Sequence, residues 1–374
     1  MIYLDHNATT PILPEVLDEM CQVWTTASGN PGSRHVSGRK ARQVMETARE
    51  QLAELLDAEP TEIVFTSGGT ESINLALTNF AAGRKGVMVS LPGEHPATEA
   101  TLQHWTSPER PIHRLPLDST GQLIDAALDE VPWSQAILAT ALLAHNETGV
   151  IQDLTRLGEC CQQHRVPWHV DAVQAVGKIP VSFRQLGCTT LSLGAHKFGG
   201  PRGIGALLVR QGVRLAPSLF GGHQEAGLRP GTEPVAMIAG LAKALSVCVQ
   251  QQTKRSRIVS ELRDRLQAGL TQQAAPVLIN GIGAPRLPNT LNIAFPGCTA
   301  DALLVALDLA GICGSLGSAC ASGSTQPSPI LTAMGCPPMV LSSSLRLSLG
   351  WQTTGDEIDD AVRIISEVVA RLRH

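Results

Sequence analysis

Four short stretches hold residue types that could do chemistry together. The first is TSGGTES, Thr66 to Ser72. Paired glycines let a backbone come close to a ligand, and a helix start offers free N–H groups and a positive dipole end. Gly69 and Thr70 would then seat a phosphate. The same residues equally suit an ordinary helix start, with Thr70 and Glu71 stabilising the first turn. The second is PWHVDAVQAVG, in which Asp171 ends an apolar strand run and Gln174 follows three residues later. Ligands of parallel sheets gather at the carboxyl ends of strands, and a carboxylate buried there must be paired. A structural Asp capping a helix is the alternative. The third is LSLGAHKFGGPRGIGALLVR. Lys197, between apolar flanks and small neighbours, can be desolvated and so act as a base or form a Schiff base. It also reads as a surface lysine on a loop. A nucleotide loop is disfavoured, because GGPRGIG lacks the GxxxxGK[ST] order. The fourth is SLGSACASGS, Ser315 to Ser324, where Cys320 stands among Gly, Ala and Ser. Only Leu316 could anchor this stretch in a core, so an inert buried thiol fits poorly.

Elements that could hold these residues are legible around them. Ser37 to Ala58 has apolar residues at helical spacing with charges between. EIVFTS reads as a buried strand running through Gly68 and Gly69 into the helix TESINLALTNFA. GVMVS, QAILAT, VPWHVD and GALLVR are further short apolar runs of strand type. Strands alternating with helices imply an α/β domain with a mostly parallel sheet. Two long helical patterns follow, Pro234 to Gln252 and Thr253 to Gln273. TLNIAF, ADALLVALDLAG, SLRLSLG and a last helix then compose a smaller α+β domain beginning near Lys254. The expected division is residues 14–253 for the large domain, and 1–13 with 254–374 for the small one.

Composition narrows the classes. The 374 residues suffice for two domains. Hydrophobic residues at 43% and charged ones at 17% describe a soluble globular protein. A net charge of −4 and 3% aromatics argue against nucleic-acid or membrane surfaces and against base-stacking platforms. No apolar run nears the roughly 20 residues of a membrane helix. MIYLDHNATT lacks the basic end and apolar core of a signal peptide. Nine irregularly spaced cysteines without CxxC suggest reduced thiols in the cytoplasm and no zinc site.

Taken in order, the quoted stretches resemble a known family. A phosphate seat, an Asp at a strand end and a His-Lys pair beyond it are similar to a pyridoxal-phosphate enzyme of the aspartate-aminotransferase fold (fold type I). The finer wording resembles a cysteine desulfurase of the NifS/IscS type, in the class V aminotransferase family. YLDHNATTP, TSGGTESINLA, GEHPA, HNETGVIQD, HVDAVQAVGK, GAHKFGGPRGIGAL, LRPGTEPV, GSACASGS and SLRLSLG carry it, from Tyr3 to Gly350.

The resemblance implies roles. Lys197 would hold pyridoxal 5'-phosphate as a Schiff base and then act as a base. Asp171 would pair with the pyridine nitrogen, and Gln174 would bond the ring's phenolic oxygen. His95 would stack on the ring and move protons, while Asn146 would contact the ring oxygen or the substrate. Gly69, Thr70 and His196 would bind the phosphate. Thr232 would reach the phosphate of a neighbouring subunit, so a homodimer is implied. Arg346 would clamp the carboxylate of L-cysteine, with Asn7 as a further substrate contact. Cys320, on a mobile loop of about 315–326, would take the sulfur as a persulfide and pass it to an acceptor protein. Selenocysteine lyase and small-amino-acid aminotransferase are the enzymatic alternatives, and a non-catalytic scaffold is the other. Gly194, His223 and Trp351 depart from the family pattern. The chain also ends soon after its last helix, which leaves docking to an iron–sulfur scaffold in question.

Overall fold

The computed structural model describes residues 1–317 and 327–373. In chain order the strands are β1 (Ile2–Tyr3), β2 (Ile63–Thr66), β3 (Val87–Ser90), β4 (Ile112–Arg114), β5 (Ala136–Leu142), β6 (Trp168–Asp171), β7 (Thr190–Gly194), β8 (Gly205–Val209), β9 (Leu278–Ile279), β10 (Thr290–Ala294), β11 (Ile312–Cys313) and β12 (Ser344–Ser348). Seven of them make one sheet in the order β2-β8-β7-β6-β5-β3-β4. β8 alone runs antiparallel to its neighbours, and the rest are parallel. This is the mostly parallel α/β sheet that the sequence pattern implies.

Both faces of the sheet are covered, which is why its strands read as unbroken apolar runs. Val89, Ala139, Trp168, Val170, Leu191 and Leu193 pack on one face with the helices Pro14–Thr26, Val36–Leu55 and Val235–Gln250. Met88, Leu138 and Leu207 alternate to the other face, under the helices Gly69–Ala81 and Pro96–Trp105. In Val36–Leu55 the buried Ala41, Met45, Ala48 and Leu52 follow helical spacing.

A second core gathers around the antiparallel strands β12-β10-β9. Leu291, Ile293, Leu345 and Leu347 pack there against the helices Gln252–Gln273, Ala300–Leu309 and Gly355–Leu372. The last helix begins with a reciprocal Thr354–Glu357 capping box. Its neighbour Gln252–Gln273 starts directly after the preceding helix, with Gln251 between them. β1 joins this core's side by pairing with β11; both strands have two residues, too few for any sequence period. No helix among the described residues is long and apolar enough to cross a membrane. The eight described cysteines are all free.

Candidate active site

β2, β3, β5, β6 and β7 point the same way, so their carboxyl ends share one edge of the sheet. Gly68 follows β2, His95 lies beyond β3, Asn146 beyond β5, and Lys197 three residues after β7; Asp171 closes β6. Strand direction alone therefore gathers most of the predicted residues.

Asp171 is buried, and its Oδ1 accepts from the Val173 N–H at 3.0 Å and the Ser192 hydroxyl at 3.4 Å. Burial pushes its pKa up, and the charges of His95 and Lys197 oppose the rise. Lys197 Nζ donates to the carbonyls of Asn7 at 2.7 Å and Ala8 at 2.8 Å. Burial, with Arg346's charge adding, brings this lysine down to about 8, while Asp171 and Asp5 resist. His95 caps the helix Pro96–Trp105 by accepting from the Ala97 N–H at 3.1 Å. Its pKa is lowered by burial first, raised by Asp171 and lowered by Lys197. These three groups thus sit within one another's electrostatic reach.

Beside them the helix Gly69–Ala81 starts at Gly68, φ +154°, with no side-chain cap. Glu71 instead accepts from the Ser67 N–H at 2.7 Å, and the Thr70 side chain is exposed. Of the ordinary helix-start alternative, Glu71 does stabilise the first turn, whereas Thr70 makes no cap. Glycines clear the space here. A Cβ on Gly205 would stand 2.7 Å from Gly68 Cα, whereas one on Gly194 would meet Gly69 N at 3.6 Å and the His196 ring at 3.7 Å. The result is an open cradle at a helix N-terminus. His196 leans on Thr9 through Nδ1 at 3.2 Å, and burial lowers its pKa to about 4.

Asn7 ties the two cores together. Its Nδ2 donates to Asn146 O at 3.1 Å and Thr290 Oγ1 at 2.9 Å, and its carbonyl accepts from Gln174 Nε2 at 2.9 Å. Arg346, on β12, donates through Nη1 to Asn146 O at 3.2 Å and forms an ion pair with Asp5 at 2.6 Å. Its buried Nε has no partner among the described residues. Asp5, Lys178, Asn289 and Thr290 belong to this network and were not singled out from sequence. Only Lys178 had a local signal, its place four residues after Gln174.

Two predicted residues are not part of this cluster. Thr232 lines a separate cleft with Val23, Trp24 and Asn30. Cys320 lies outside the described residues. The chain flanking it converges on Glu147: Ser328 Oγ donates to Glu147 Oε2 at 2.7 Å, and a Cβ on Gly317 would fall 2.5 Å from Glu147 Cδ. Two of the departures have clear surroundings. Trp351 lies under the Arg255 guanidinium at 4.7 Å, beside a cavity of about 80 Å³ that backs onto Lys197 and Lys178. His223 lines a cleft with Arg49 and Glu225.

The profile of the aminotransferase class-V family matches residues 2–361. The chain belongs to that family. It is 40% identical over 375 residues to a cysteine desulfurase of Nostoc sp. strain PCC 7120, a match spanning 100% of this chain and 94% of that protein. Among solved structures, a NifS-like protein superposes with a TM-score of 0.92 at 34% identity, covering 99% of both chains. SspA in complex with cysteine gives a TM-score of 0.80 at 31% identity, over 93% of this chain and 99% of that one. Class-V aminotransferases of the desulfurase type work with pyridoxal 5'-phosphate. The donor set here fits that group. The glycine cradle with Thr70 and His196 suits its phosphate, the desolvated Lys197 amine its aldehyde, and the buried Asp171 carboxylate its pyridine nitrogen.

Proposed function

We propose that this chain removes sulfur from L-cysteine, as a pyridoxal-phosphate-dependent cysteine desulfurase, leaving L-alanine and a persulfide on Cys320. The observation that carries the reading is the placement of a desolvated Lys197 within electrostatic reach of buried Asp171, beside an open glycine cradle. When bound, the cofactor supplies an electron sink for bonds broken at the substrate's α- and β-carbons.

The chain's own residues do the rest. Gly69, Thr70 and His196 hold the phosphate. Asp171 keeps the pyridine nitrogen protonated, and Gln174 faces the phenolic oxygen. His95 covers the ring, and Asn146 borders the substrate. Lys197, with a pKa near that of a working base, takes the α-proton. Arg346 exchanges part of its bond with Asp5 for the carboxylate of L-cysteine, and Asn7 lines that side. The Cys320 thiolate attacks the substrate's sulfur, the C–S bond breaks, and one proton added to the β-carbon and one restored to the α-carbon complete alanine. L-cysteine and the Cys320 thiol thus become L-alanine and a Cys320 persulfide, with no outside oxidant. An acceptor protein then takes the sulfur.

We divide the chain into a large domain, 14–253, and a small domain, 1–13 with 254–374, whose Leu287, Ile330, Leu331 and Met334 reach into the large sheet's core. Thr232 acts in the site of a second copy, so the working unit is a homodimer. Phe220, 92% exposed, and Leu219 on the same loop region supply apolar surface for that contact. Free thiols suit a reducing cytoplasm.

The test is the Cys320→Ala variant given L-cysteine. It should keep its cofactor and release almost no alanine, while mass spectrometry of the wild type finds an added sulfur on the Cys320 peptide. Alanine formed at the wild-type rate, or sulfur only on another cysteine, would falsify the reading. Selenocysteine turnover surviving in Cys320→Ala would point to the lyase instead.

A further inference from the structure

Lys178 lies in the turns that follow β6, four residues past Gln174, with its N–H bonded to the Ala175 carbonyl. Its Nζ donates to Gln174 Oε1 at 2.5 Å and to Asn7 Oδ1 at 2.9 Å. Both acceptors are amides, whose two ends are alike in size and opposite in hydrogen-bonding character.

Neighbours fix which end is which. The end of Gln174 facing the Asn7 carbonyl must be Nε2, because a carbonyl only accepts. Its other end faces the Lys178 amine. Rotating the amide by half a turn would set Oε1 against a carbonyl and Nε2 against a donor. Asn7 is held alike: Nδ2 faces the Asn146 carbonyl, while Oδ1 accepts from Lys178 and from Asn289 Nδ2 at 3.0 Å. The same Asn7 carbonyl that receives Gln174 receives Lys197. One amine therefore anchors both amides and, through Asn7, the seat of Lys197.

Packing gives no reason for a lysine here. Desolvation and the charges of Lys197 and Arg346 hold its pKa well below the usual range. Among the described residues no carboxylate pairs with it. A methionine would fill similar volume without that cost.

We propose that Lys178 is a positioning residue, locking the Gln174 amide so that Nε2 is the end available to an acceptor on pyridoxal phosphate. The inference rests on the cofactor reading above. One Nε2 hydrogen is taken by the Asn7 carbonyl, and the other is left for that acceptor.

A double-mutant cycle tests it. The apo forms of wild type, Lys178→Met, Gln174→Leu and the double variant are titrated with pyridoxal phosphate, recording affinity, the absorbance maximum of the bound cofactor and Tm. Lys178→Met should lose about tenfold in affinity, the scale of one buried hydrogen bond, and shift the absorbance maximum. In the Gln174→Leu background the same change should cost less than about twofold, since the amide it acts through is gone. Lys178→Gln, which keeps a donor, should lie between wild type and Lys178→Met, and it replaces Lys178→Met if that variant does not fold. An equal loss in both backgrounds, or a wild-type affinity and spectrum for the Lys178 variants, overturns the inference alone. Failure of the wild type to bind pyridoxal phosphate overturns the inference and the cofactor reading together.

Discussion

Lys197 illustrates how one side chain couples function to stability. Its pKa of about 8 in the fold lies below the roughly 10.4 of an unfolded lysine. Between those values the unfolded chain binds more protons than the folded one, so stability rises with pH across that window. Below about 8 the charged amine is a cost to the apo fold. Lys197→Met should therefore be more stable than the wild-type apo-protein at pH 7, with the gap narrowing towards pH 10. Urea melts at a series of pH values read this directly. A gap that stays constant would show that the amine is not desolvated as described. Lys178 shifts in the same direction and partly through the charge of Lys197, so Lys197→Met relieves it too and adds to the gap with the same sign.

At the scale of elements, the phosphate cradle depends on close approach between the start of one helix and the ends of β7 and β8. Gly205 pairs with Gly194 on one side and Thr66 on the other. A Cβ there would stand 2.4 Å from the Leu193 carbonyl oxygen and 2.7 Å from Gly68 Cα, both backbone atoms that cannot swing aside. Gly205→Ala should cost about 1–3 kcal/mol, as overpacking does, and weaken binding of pyridoxal phosphate. Gly194 differs, since its Cβ would make only ordinary contacts of 3.6 Å or more. Gly194→Ser should fold like wild type, within about 0.5 kcal/mol, and its added hydroxyl should tighten cofactor binding severalfold. Thermal melts and cofactor titrations of the two variants check both statements. Equal damage from both would mean that the cradle has no spare room at Gly194.

For the whole molecule, Thr232 is the informative residue, because it lies in its own cleft away from Lys197. A homodimer in which this residue serves the second site makes two expected outcomes. Sedimentation should give twice the chain mass, and Thr232→Ala should weaken cofactor binding without dissociating the dimer. A monomeric protein with full cofactor affinity would remove the role assigned to Thr232. Within one chain, Asn7 and Arg346 already join the two cores, since both donate to the Asn146 carbonyl and Asn7 also donates to Thr290 of β10.

Local pattern in the sequence was enough for the alternation of helix and strand, for a mostly parallel sheet, for Asp171 at a strand end and for Lys197 just beyond one. Such features repeat over a few residues and need no knowledge of distant chain. GALLVR reads as a strand, but its reversed direction as β8 does not, since an apolar run is the same in either sense. Lys178 stood four residues from Gln174, yet nothing local said that Asn7, 171 residues away, would close the network. Asp5 and Arg346 are separated by 341 residues, and their ion pair exists only because the opening segment bridges onto β12. Sequence determined which groups were available and on which elements they stand. Tertiary structure decided which of them meet, because hydrogen bonds and ion pairs depend on distances that only the closed chain sets.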